Sequence, residues 1–272
     1  MAVAAAGGAD FSLEPCAHLS CLDSFCQNGG FMSTPFSPTR PDVERYRSMR
    51  ALCVEMNQRI VETLPRKAYE EIGDAIGIRH NGVLVLDNLD VSSVLMDCCV
   101  HDWFENGKNM VQRYSEAHPA KPGTDESYIL NACLQAKYRV LLVKSAVPGA
   151  GLYSTDVLNN EELFLMDLAL SRSLKDGNAV LATRTMPLGE YWMTGGAGLP
   201  INSKKALLDA LSRFEREKQK PPEGRASLAL TIVRLCLATG AADCIAYESA
   251  EATAKTPRSR PRMPGFKFKR HR

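Results

Sequence analysis

The hydrophobic period of this 272-residue chain changes between residues 138 and 196, and that change limits the possible folds more than any other feature of the sequence. Short apolar runs occupy residues 138–147, 152–154, 163–168, 179–186 and 191–194. They are separated by Pro148-Gly149, Asn159-Asn160, Lys175-Asp176-Gly177-Asn178 and Pro187-Leu188-Gly189, all turn-forming sequences. Parallel neighbours would need crossover connections of about a dozen residues or more, and these turns are shorter. The expected unit is therefore a small antiparallel barrel or curled sheet.

Helical periodicity flanks it on both sides, which makes the whole an α+β chain. Thr39, Pro41 and Asp42 open a helix that places Tyr46, Met49, Cys53, Met56, Ile60 and Leu64 on one face before Pro65 ends it. A second helix over residues 66–76 closes at Gly77. The run 83–86 after Asn81-Gly82 reads as a buried strand or as a loop packed on helices. Asp90 then caps a helix broken near Gly107 and again at His118-Pro119, and Thr124 opens one that leads into the β unit. Beyond it, Asn202 or Ser203 caps a helix carrying Leu207, Leu208, Leu211 and Phe214, and a last apolar helix runs from about 227 to 238. The expected organisation is an irregular cysteine-bearing arm over residues 1–38, an α+β domain over 39–245 (helical 39–137, β unit 138–196, helices 202–240), and a basic tail over 246–272 too poor in apolar residues to fold.

A composition of 45% apolar and 24% charged residues is that of a globular protein. Charge interrupts every apolar stretch well short of the ~20 residues a membrane span requires. Residues 1–10 are Ala/Gly-rich without a basic residue, so the pattern of an export signal is missing and a cytoplasmic location is expected. Nine cysteines, an odd number, include Cys53, Cys98, Cys99, Cys133 and Cys236 in helical apolar surroundings, and these are expected to be free thiols.

Three groups of residues suggest chemistry. Cys16, His18, Cys21 and Cys26 supply four zinc-type donors within eleven residues of the arm. His101-Asp102, with His80 upstream and Asp125 or Asp167 downstream, outlines a metal-dependent phosphohydrolase whose His and Asp ligands would hold cations that generate hydroxide. The plainer alternative is a helix with Asp97 and Asp102 on its polar face and Trp103 and Phe104 in the core or an interface. Gly195-Gly196-Ala197-Gly198 lacks the Lys-Ser/Thr of a phosphate cradle and reads as a flexible exit from the β unit. The third group is the tail. Lys255, Arg258, Arg260, Arg262, Lys267, Lys269, Arg270 and Arg272 are eight basic residues among the last eighteen, with no acidic one. Removing them from a formal net charge of +2 leaves −6 on the rest of the chain. Phe266 and Phe268 interleave with these charges, a pattern suited to RNA or single-stranded DNA, with cations on phosphates and rings on unpaired bases. An acidic protein surface would suit the charges as well.

The end of that tail, Gly265-Phe266-Lys267-Phe268-Lys269-Arg270, resembles the close of the SEC-C motif, a small zinc module first described at the C-terminus of the SecA translocase. Residues 95–114 and 138–193 are also similar to uncharacterised bacterial proteins that carry this motif behind a mixed α/β body. No Cys-x-Cys precedes Gly265, and His271-Arg272 stands where the closing ligand pair of the motif would be. The resemblance implies an interaction module for proteins or nucleic acid, and hence a non-enzymatic binding or accessory protein.

Overall fold

The computed structural model describes residues 36–86, 89–174, 179–201, 203–218 and 227–239. Helix α1, Arg40–Glu62, begins where Thr39 and Asp42 form a capping box: the Asp42 amide donates to the Thr39 hydroxyl and the Thr39 amide to the Asp42 carboxylate at 2.8 Å. It buries Tyr46, Met49, Cys53, Met56 and Ile60, the face its spacing predicts. Helix α2, Arg66–Ile76, follows Pro65 and stops at Gly77, whose φ of +81° suits glycine. A two-residue hairpin comes next, β1 (Arg79–His80) pairing antiparallel with β2 (Val83–Leu84). Val83 is 60% exposed, so the 83–86 run is not a buried strand; its Leu84 and Leu86 pack against the helical core, closer to the alternative of a segment laid on helices.

Helix α3, Leu89–His101, starts one residue ahead of Asp90. Helix α4, Met110–Ala117, is capped by an Asn109–Gln112 box, and α5, Asp125–Leu134, by Thr124. Ile129, Cys133, Val111 and Val94 from these helices share one core with α1 and with the outer face of the β unit.

The β unit is a closed ring. Strand β3, Lys137–Val147, pairs antiparallel along one side with β4 (Gly151–Asp156) and along the other with β6 (Val180–Leu188). A register shift between Val143 and Ser145 lets this long strand bend to serve both. Strand β4 pairs with β5 (Glu161–Met166), and β6 with β7 (Tyr191–Thr194), again antiparallel. The ring shuts where β5 meets β7 in a parallel contact of two residue pairs, Leu165 with Trp192 and Met166 with Met193. The order β3-β4-β5-β7-β6 returning to β3 is the connectivity of an OB-type Greek-key barrel. Its one departure from the antiparallel expectation is that closing pair, made possible by the short helix α6 (Leu170–Ser173) between β5 and β6. The glycine-rich segment after β7 is more ordered than the sequence suggests: Leu199–Pro200, β8, returns to pair with Leu181 and Ala182 of β6.

Alternation along the strands separates two cores. Leu141, Val143, Leu152, Leu163, Leu165 and Leu181 fill the barrel. Val140, Phe164, Met166, Ala182, Met186 and Met193 point outward and are covered by helices. Gly151 is required where β4 meets β5, because a Cβ there would run into the Leu165 carbonyl oxygen and the Phe164 ring. Helix α7, Lys204–Lys218, capped by Ser203, and helix α8, Leu228–Ala238, capped by Ser227, complete the described chain. Leu207, Leu211, Ile232, Val233 and Cys236 add to the outer core.

Candidate functional site

Among the described residues, two arginines are the buried side-chain cations, and each is held by acidic partners. Arg139 alternates with Leu141 along β3 and so lies inside the barrel, 1% exposed. Its Nη1 donates to Asp156 and Glu161, both at 2.7 Å, its Nε donates to Thr185 at 3.1 Å, and its guanidinium lies 4.3 Å from the centroid of the Trp192 ring. Asp156 is as buried as the arginine, whereas Glu161 is half-exposed at the barrel's mouth.

Arg184 projects from the opposite face of the neighbouring strand into the seam between barrel and helices. Its Nε donates to Asp97 of α3 at 2.9 Å and its Nη2 to Asp102, the residue after the last of α3, and its guanidinium lies 5.4 Å from the Tyr138 ring centroid. Asp102 also accepts from Ser227, the cap of α8, so one guanidinium ties a strand to two helices. Burial alone would lower the Arg184 pKa, but the carboxylates of Asp97 and Asp102 outweigh it and raise the value, keeping the group charged. Burial pushes Asp102 upward and Arg184 pulls it back. On balance burial leaves the Asp102 pKa above its ordinary value, while the two carboxylates keep Arg184 charged.

This seam changes the reading of several sequence features. Asp97 and Asp102 do not form a solvent-facing polar stripe; they face Arg184, almost ninety positions away in the chain. Trp103 is buried and its indole N–H donates to Glu71 at 2.7 Å, while Phe104 is exposed. Thr183 and Arg184 are both buried, Thr183 facing the barrel interior beside Arg139 and Arg184 on the outer face that helices cover. Asp167 anchors a turn instead of a metal site, accepting from the amides of Ala169 and Leu170 at 3.0 Å and from the Thr194 hydroxyl at 2.6 Å.

The proposed hydrolase ligands are scattered. His80 is exposed on the β1–β2 hairpin, His101 is buried in α3, and Asp125 is tied to Arg45 through two hydrogen bonds of 2.7 Å. Burial and then the nearby Arg184 lower the His101 pKa to about 4, so the ring is neutral. Among the described residues, the group that brings three potential ligand atoms within 4.8 Å is Asp97, Cys98 and Asp102. The Arg184 guanidinium takes the place a cation would fill there. Burial also raises the Cys98 pKa well above its ordinary value, which keeps it a thiol rather than a thiolate ligand. The cluster is thus built as a clasp. Cys16, His18, Cys21 and Cys26 lie outside the described residues, as do the tail positions Arg258, Arg260, Arg262, Phe266, Lys267, Phe268, Lys269 and Arg270.

The face of β4 and β5 through which OB-type barrels engage oligonucleotides is occupied in this chain. Phe36 packs on Phe164 and Tyr191 with ring centroids 5.2 and 5.5 Å away, and its carbonyl accepts the Tyr153 hydroxyl at 2.7 Å. Among the described residues no helix is long and apolar enough to cross a membrane. Residues 40–228 match a family described as a family of unknown function, DUF7986. No curated protein and no solved structure matches the chain.

Proposed function

We propose that the chain, which belongs to DUF7986, a family of unknown function, is a non-enzymatic binding or accessory protein. Its anionic partner, single-stranded RNA or DNA, is held by residues 255–272. The observation that carries this is the segregation of charge: eight cations and no acid in the last eighteen residues, set against a formal −6 on the remainder. Two features of the fold support it. The buried groups best placed for chemistry are consumed in the Arg184 clasp and in the Arg139 network. The customary barrel face is also filled by Phe36, which leaves recognition to charged segments outside the barrel. A cytoplasmic setting, in which the five buried thiols stay reduced, accords with the same reading.

The test is binding of the full chain to a single-stranded oligonucleotide across a salt series. Affinity should fall steeply with salt, and deletion of residues 255–272 should abolish it. Phe266→Ala with Phe268→Ala should weaken single-strand binding by roughly 1 to 3 kcal/mol for each base stack lost, and leave duplex binding nearly unchanged. Binding that survives the deletion or ignores salt would refute the proposal. Capture of an acidic protein with no nucleic-acid affinity would reassign the partner.

A further inference from the structure

A recess opens where the first turns of α1, the exposed side of α5 and the β6–β7 turn meet. It is a cleft of about 260 Å³ above Met49 and Leu188. Its walls are the rings of Phe36, Tyr128 and Tyr191, and its rim carries Asp42, Arg45 and Glu190. Arg45 is already neutralised, since its two Nη atoms donate to the two Asp125 oxygens. Asp42 uses Oδ2 to cap α1, leaving Oδ1 for another donor. Glu190 is exposed on the β6–β7 turn and has no ion pair or hydrogen bond among the described residues. Two unneutralised carboxylates over three aromatic rings make a site for a cation, because ring faces and carboxylates present negative potential together. A phosphate or another carboxylate would meet repulsion from both.

We infer that this cleft receives basic side chains of the chain's own C-terminal segment 255–272, docking in cis. Charge complementarity argues for this occupant: the tail holds eight cations, and the rest of the chain, with this cleft, holds the compensating negative charge. Reach permits it. The described structure ends at Thr239, and fifteen residues separate it from Lys255. Fully extended they span about 50 Å, against a radius of gyration of about 16 Å expected for a body of some 200 residues. Tethering presents the tail at an effective concentration in the millimolar range, which makes contacts that would be weak between molecules significant within one. Docking does not depend on what the tail binds externally. Where the partner is a nucleic acid, cleft and partner compete for the same cations.

The experiment is tryptic cleavage within residues 255–272 of the full-length chain at low salt, with fragments identified by mass. Glu190→Gln and Tyr128→Ala alter exposed side chains and leave the core intact. Each should accelerate tail cleavage about two- to fivefold over the parent. The difference should vanish at roughly 0.5 M salt, where the screening length is about 4 Å. Glu55→Gln, an exposed carboxylate on α1 outside the cleft, should cleave like the parent. Equal rates for parent and cleft variants would overturn the inference, as would an equal effect of Glu55→Gln, which would point to diffuse attraction. Protection that grows with protein concentration would assign the tail to a second copy and overturn docking in cis.

Discussion

Arg184 shows what a single side chain can organise. Its guanidinium is 5% exposed and answers two carboxylates about 10% exposed, so each charge depends on the other two for compensation. Forming such a network from hydrated ions gains little, but removing one member leaves the remainder charged and dry. Arg184→Leu should therefore destabilise the fold by about 3 to 5 kcal/mol, measured by urea unfolding. Adding Asp97→Asn and Asp102→Asn should recover a substantial part, because the stranded charges are then gone. If Arg184→Leu costs less than about 1 kcal/mol, the seam is hydrated and the clasp does not exist. None of this was legible in the sequence. Asp97 and Asp102 are spaced as an ordinary polar helix face, and only the packing of α3 across β6 shows that the face looks inward at an arginine.

Among the elements, the strands were the most legible. Turn chemistry and alternating apolar residues placed five of them within a few positions of where they lie, and Tyr191–Thr194 at its observed bounds. Three helices followed from their caps, since Thr39, Thr124 and Ser203 each offer a side-chain oxygen to an otherwise unpaired amide, whereas the Asn109 cap of α4 was not legible and α3 begins at Leu89, ahead of the Asp90 expected to cap it. What could not be read was the closure. The β5–β7 contact rests on two residue pairs between strands separated by the whole of β6, and local patterning carries no record of such a meeting. Gly151 marks the geometry that closure demands on the neighbouring ladder, where backbone and ring approach too closely for a methyl group. Gly151→Ala should force β4 away from β5 and cost about 1 to 3 kcal/mol, with loss of amide protection concentrated in those strands. An unchanged melting temperature would show that the ladder has slack.

For the molecule as a whole, acid stability should depend on one histidine before the carboxylates matter. His101 has a folded pKa of about 4 against an ordinary 6.5. Between those values the unfolded chain binds a proton that the folded chain does not. Stability is therefore retained above about pH 6.5 and falls on acidification through the window, by up to about 3 kcal/mol. Asp102, its pKa raised chiefly by burial, opposes part of that loss. Asp42 and Asp125 are held below their ordinary value by the Thr39 cap and by Arg45, so they contribute only under about pH 4. Urea unfolding between pH 7 and 4 should show the slope, and His101→Leu should flatten it. A parental slope retained by that variant would assign the effect elsewhere. The functional signals were legible in a different measure from the fold: the charged tail is plain in the composition, whereas the aromatic and acidic cleft assembles from α1, α5 and a hairpin turn, and no local stretch contains it.

The parallel contact that shuts the barrel also governs how this protein can associate. A sheet with a free margin offers a row of amides and carbonyls that an extended peptide, or another copy, can extend by one more strand. Every strand of this ring is bonded on both flanks, and among the described residues the free sheet margins are those of β8 and of the β1–β2 hairpin, each two residues long, so backbone templating has little to start from. Association is left to side chains, and it can be tuned or abolished by substitutions at the surface without disturbing the hydrogen-bonded frame beneath.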